Sequence, residues 1–215
     1  MPATCPTPLH VDAALLAFDK PSGLLAVPGR GEARQDCLSA RVQAAYPDAL
    51  IVHRLDMATS GLMLFARGAE MQRRLSMLFA ARQVSKRYVA VVAGRLAAPT
   101  GQWGEIALPI APDWPNRPLQ AIDLAHGKPS LTRWRVLAFD AATQTTRLEL
   151  EPVTGRSHQL RVHLKAIGHP ILGDTLYAPA AVQARADRLL LHACSLRFRH
   201  PTTGQVVLLE SAPPF

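Results

Sequence analysis

At 215 residues the chain is long enough for one well-buried core or for two subdomains sharing a sheet, and its formal net charge of +8 favours a polyanionic partner. Only Lys20, Lys86, Lys128 and Lys165 are lysines among 24 basic residues, and arginine's planar fork suits phosphate and stacked bases better than an ammonium does. No stretch approaches the roughly 20 apolar residues of a membrane span, the N-terminus with Pro2, Pro6 and Pro8 does not resemble a signal peptide, and the isolated Cys5, Cys37 and Cys194 suit free thiols in a reducing cytoplasm rather than a disulfide framework or a Cys-based zinc site.

In chain order, residues 1–11 are expected to be a loose tail. Short strands at Leu15–Phe18 and Leu24–Val27 flank a Lys20-Pro21-Ser22-Gly23 turn. A helix from Asp36, as N-cap, to Tyr46 buries Leu38, Val42 and Ala45 and stops at Pro47. The apolar run Leu50-Ile51-Val52 reads as a strand, and so does Gly61–Ala66. An amphipathic helix then spans Ala69–Gln83, with Met71, Leu75, Leu78 and Phe79 on one side and Arg73, Arg74 and Arg82 on the other. Strands follow at Arg87–Ala93, Trp103–Leu108, Leu131–Phe139 and Thr145–Glu151. A helix covers Ser157–Ile167, and Leu189–Arg199 with Gln205–Glu210 closes the chain as a hairpin. Strands dominate, the order does not alternate strictly, and there is no repeat or long linker. These features predict an α+β fold on a mixed, largely antiparallel sheet with flanking helices.

The segment IVHRLDMATSGLM, Ile51–Met63, places polar residues between two buried runs. If the chain is still extended at Arg54, alternation puts Arg54 and Asp56 on one face and His53 and Leu55 on the other. The competing reading is an Asx-turn at Asp56 with a surface ion pair to Arg54. A second segment, Thr154–Arg161, joins a strand to a helix. Arg156 stands at or just before the first turn, where the macrodipole disfavours a cation and an anionic partner is therefore expected; an ordinary ion pair is the alternative. Arg161 and Lys165 are expected on a solvated face. His158 and His163, five apart with no acid beside them, do not match metal-ligand spacing, and no glycine pattern matches a nucleotide-cofactor loop. In Asp113–Pro118, Trp114 and Arg117 on a proline-stiffened loop could stack on an unpaired base, although Trp114 could equally anchor a core. Tyr88, in a strand, carries no functional signal by itself.

Together these stretches resemble the RluA family of RNA pseudouridine synthases, whose hallmark is the His-Arg-Leu-Asp seen at His53–Asp56. The resemblance runs in order through Lys20–Arg30, Thr154–His163, Gly168–Asp174 and Leu189–His192. The short form and the Asp113–Pro118 loop are most similar to the family's dual-specificity member, which acts on a tRNA anticodon stem-loop and on a loop of 23S rRNA. The resemblance implies the pseudouridine synthase fold, a bent sheet with two subdomains around a central cleft. It further implies one catalytic domain over 12–215 with no S4 domain, an isomerase of uridine in RNA, no cofactor or metal, RNA as partner, no membrane, a monomer and a cytoplasmic location.

Residue by residue, the resemblance makes Asp56 the nucleophile or base that starts cleavage, Arg156 its partner, and Tyr88 the tyrosine against the uracil. Arg54 would enter the space left by the flipped base. His53, Leu160, Trp114 and Arg117 complete the expected substrate-binding set. Three alternatives stay open: a synthase of the same family with a single substrate, rRNA or tRNA; a hydrolase of the glycosidic bond, which would usually recruit a second carboxylate or a metal; and an RNA-binding module without catalysis.

Overall fold

The structure, a computed structural model, describes residues 4–97 and 101–215. Its elements, in chain order, are β1 His10–Val11, β2 Leu15–Lys20, α1 Leu38–Ala45, β3 Ala49–Ile51, β4 Ser60–Arg67, α2 Ala69–Ala80, β5 Ser85–Ala93, β6 Gly104–Ile106, β7 Ile110–Pro112, β8 Gln120–Ile122, β9 Thr132–Asp140, β10 Thr145–Pro152, α3 Gln159–Ala166, α4 Ala180–Gln183, β11 Leu191–Arg199 and β12 Val206–Glu210. The chain divides into two compact units, Met1–Lys86 with Ala193–Pro214 and Arg87–His192 with Phe215. The sheet is mixed and mostly antiparallel, as the strand-rich, non-alternating sequence predicts.

In the first unit the strand order is β1-β2-β4-β11, with β3 on β4 and β12 on β11. β2 and β4 pair antiparallel from Leu15 opposite Ala66 to Lys20 opposite Gly61. Both are apolar on successive residues because both faces are covered, and Leu15, Leu16, Phe18, Leu62, Met63, Leu64 and Phe65 are fully buried. Burying each such side chain stabilises the fold by about 1.5–3 kcal/mol before entropy is counted. The apolar side of α2 closes this core as expected: Leu75 is buried, with Met71, Leu78 and Phe79 packed beside it. In the second unit the order is β5-β10-β9-β6. β10 pairs antiparallel with β5 and β9, and a register shift between Arg147 and Leu148 interrupts its pairing with β9.

Several expectations need correction. The tail is not wholly loose: residues 1–3 lie outside the described residues, but His10 and Val11 pair with Ala17 and Leu16. Residues 24–27 form no strand, only a parallel bridge from Leu25 to Cys37. Cys37, not Asp36, caps α1, its Sγ accepting from Ala40 N at 3.4 Å, while Asp36 binds Arg41 through both carboxylate oxygens. Ala45 is exposed rather than buried, since the helix contacts the core through Leu38 and Val42 alone of the expected three.

Candidate active site

β3 ends at Ile51 and β4 begins at Ser60, so Val52–Thr59 is a loop hung between two sheet strands. What releases the chain from the ladder is His53. The last β3 pairing is Ile51 with Phe65, and just beyond it the Leu64 N–H donates to His53 Nε2 at 2.9 Å. The imidazole thus satisfies a β4 donor that a longer β3 would have taken. Its ring stacks on Phe79, with centroids 4.6 Å apart and planes at 24°. Burial, helped by the charge of Lys86, pulls its pKa from 6.5 to about 3. The ring is therefore neutral, with its proton on Nδ1. The residue expected at the substrate has this ring committed to the fold.

Past His53 the backbone is not strand, yet the alternation persists in exposure. Arg54 is exposed, Leu55 is buried and Asp56 is half-buried. The turn after Asp56 is closed by its main-chain oxygen, which accepts from Thr59 N at 3.1 Å. The loop is held from beneath by the Lys20–Leu24 segment: Met57 O accepts from Gly23 N at 2.9 Å and from Lys20 Nζ at 3.0 Å, and Ala58 O accepts from the Ser22 hydroxyl at 2.7 Å. Lys20 is fully buried and also donates to Pro21 O and Leu24 O at 2.8 and 2.7 Å. A buried ammonium is tolerated only where such acceptors surround it. Lys20, the last residue of β2, with Ser22 and Gly23 just beyond it, therefore fixes the position of the Asp56 turn. The sequence signal for Lys20 was its place at the end of an apolar strand.

In the second unit, Tyr88 stands on β5 opposite Leu150 of β10 and is half-buried. Arg156 lies in the connection from β10 to α3, ahead of the N-cap His158, whose φ of 54° and ψ of 16° are left-handed. Gln159, which sequence reading passed over, organises this connection. Its Oε1 accepts from the Thr154 hydroxyl at 2.7 Å and from Arg156 N at 3.0 Å, and its Nε2 donates to Leu131 O and Thr132 Oγ1 at 2.9 and 3.0 Å. With this amide's full capacity used, the Arg156 backbone is fixed while the side chain is exposed, one Nη2 reaching Pro129 O at 3.4 Å. Leu160 is buried in the first turn of α3.

Arg161 contradicts its assignment to a solvated face. It is only 3% exposed, and its Nε and Nη2 bind the Asp174 carboxylate at 2.9 and 2.6 Å. The spacing of thirteen residues hid this pair from any helical-neighbour rule. Lys165 is exposed as expected. His163 has both nitrogens engaged, with Thr132 Oγ1 and Leu108 O, each at 2.9 Å. Trp114 is not a core anchor: it is 66% exposed on the loop joining β7 and β8, and the Arg117 guanidinium lies 3.5 Å from its ring centroid. That hairpin was absent from the sequence reading, since its strands are three residues each and one ends in proline.

The family model for RNA pseudouridylate synthase matches residues 14–166. The dual-specificity RNA pseudouridine synthase RluA of Escherichia coli K12 is 46% identical over 96% of this chain and 93% of its own length; the protein of the same name from Pasteurella multocida is 48% identical over 96% and 92%. Among solved structures, human RNA pseudouridylate synthase domain containing 1 superposes with a TM-score of 0.79 at 28% identity, over 97% of this chain and 84% of that one. Human RNA pseudouridylate synthase domain containing 4 gives 0.78 at 25% identity, over 96% and 88%. The chain belongs to the RNA pseudouridylate synthase family.

Proposed function

We propose that this protein converts uridine to pseudouridine in two RNA contexts, a tRNA anticodon stem-loop and a loop of 23S rRNA, and that 12–215 acts as one catalytic domain. The carrying observation is the Asp56 loop, a carboxylate on a turn that Lys20, Ser22 and Gly23 hold in place, within the family-matched residues. Identity of 46–48% with relatives named for dual specificity supports the pair of substrates.

The reaction breaks the bond from ribose to the ring nitrogen, turns the uracil and rejoins it through a ring carbon, so it is redox-neutral and asks for one ionised carboxylate and a proton acceptor. Asp56 starts cleavage, Arg156 is the partner that orients it, and Tyr88 lies against the uracil and helps remove the proton from the rejoined carbon. Arg54 fills the space left by the flipped base, and its exposure beside a buried Leu55 suits that role. Leu160 contributes an apolar wall, and Trp114 with Arg117 stacks on unpaired bases of the loop. His53 serves the substrate indirectly, by setting where the chain leaves the sheet. We further propose a monomer working in the cytoplasm, where these RNAs are. Among the described residues no helix is long and apolar enough to cross a membrane.

The test is carbodiimide mapping of pseudouridine on tRNA and 23S rRNA transcripts incubated with the protein. New pseudouridine in both loops is the expected result. Modification of one transcript alone would reduce the proposal to a single-substrate synthase, and modification of neither would overturn it.

A further inference from the structure

The buried Tyr177 hydroxyl joins two segments. It accepts from Gln120 N at 2.9 Å, at the first residue of β8, and it meets His158 Nδ1 at 2.6 Å. A phenol oxygen can accept from the Gln120 N–H and still share a hydrogen bond with the imidazole, so the one hydroxyl serves both segments. Gln120 directly follows Leu119, the end of the Trp114–Arg117 loop; His158 is two residues beyond Arg156.

That loop is braced by its own hydrogen bonds. Asp113 N donates to Leu119 O at 3.0 Å, and Asn116 Nδ2 donates to both Asp113 carboxylate oxygens at 3.1 and 3.0 Å. Its base rests on a small cluster of Ile110, Val162 and Tyr177, against which Leu119 and Ile122 pack. Tyr177 is itself held firmly: its N–H donates to Asp174 Oδ1 at 3.1 Å, and the Arg161 guanidinium lies 5.1 Å from its ring centroid. Apolar packing alone would be met by phenylalanine; the hydroxyl adds direction, fixing the hairpin base and the Arg156 segment through one oxygen atom.

We propose that Tyr177 is a positioning residue for substrate choice: its hydroxyl sets where the Trp114–Arg117 loop stands relative to the Arg156 segment, and so which RNA loops are accepted. This rests on the reading of that loop as an RNA contact. RNA loops are recognised by shape and splayed bases, so displacement of a rigid stacking loop changes binding without touching the chemistry.

The experiment is steady-state kinetics on an anticodon stem-loop transcript and a 23S loop transcript. Tyr177→Phe keeps the ring and is expected to raise KM about tenfold on at least one transcript while kcat stays within about twofold, the size of one or two lost hydrogen bonds. Combined with Trp114→Ala it should raise KM no further than Trp114→Ala alone, because both remove the same placed contact. His158→Asn, which keeps a residue tolerant of left-handed backbone, should shift KM in the same direction and serves if Tyr177→Phe does not fold. Unchanged KM in both latch variants beside a raised KM in Trp114→Ala, additive effects in the double variant, or a fall in kcat at constant KM would each overturn the proposal. Unchanged KM in Trp114→Ala would instead overturn the reading of the loop as an RNA contact, and an inactive wild-type protein would overturn the reaction itself.

Discussion

His53 influences the site through a main-chain donor, and this gives it a measurable signature. An ordinary histidine titrates near 6.5, and His53 in the folded protein only near 3. Between those values the unfolded chain takes up a proton that the native chain refuses. The stability contributed by the neutral ring is complete above pH 6.5 and declines as pH falls toward 3. Burial lowers the pKa of His163 as well, partly offset by its bond to Leu108 O, so it adds to the same limb. Urea unfolding from pH 7 to 4 should show stability falling, and His53→Gln should flatten the limb by up to one proton, about 1.4 kcal/mol per pH unit. An unchanged slope would mean that the ring is not held neutral. At this scale the sequence was most legible where local alternation governs, as in the exposed Arg54 and buried Leu55. It was least legible where a distant partner does: Arg161 found Asp174 and Gln159 found Leu131 and Thr132, and no spacing rule connects them.

Long elements with a full apolar face, such as β4 and α2, were readable because burial of that face decides their structure. The short ones were not: β7 and β8 are defined by the strand opposite and by α3 beneath them, which no local pattern encodes. The same dependence on a neighbour explains Gly61. Its φ is 114°, and an added Cβ would lie 2.3 Å from Ala193 O and 2.6 Å from Ala193 N, which are backbone atoms of β11 that cannot turn aside. Gly61→Ala is expected to destabilise by about 3 kcal/mol, lowering Tm by roughly 6–12 °C. Because Gly61 directly follows Ser60, where the Asp56 loop rejoins β4, activity should fall with stability. A Tm within about 2 °C of wild type would show that β4 and β11 can separate at this point.

For the whole molecule, the charge of +8 predicts a polyanion partner, and the structure shows which arginines are already occupied. Arg87, Arg133 and Arg135 interleave with Glu105, Glu149 and Glu151 around Trp103, and Arg161 is paired in the interior. Arg54, Arg117 and Arg156 are exposed, and we propose them among the phosphate contacts. With about five such contacts, RNA affinity should drop about a hundredfold between roughly 50 and 200 mM salt; a flat dependence would contradict an RNA substrate. The most direct measurement of the central claim is nucleoside mass analysis of a digested RNA substrate after incubation with wild type or Asp56→Asn, with RNA affinity measured in parallel. The account predicts an isobaric conversion of uridine to pseudouridine with no free uracil for wild type, and none for Asp56→Asn, whose affinity stays within about tenfold. Pseudouridine formed by Asp56→Asn at the wild-type rate, or free uracil in place of pseudouridine, would contradict it.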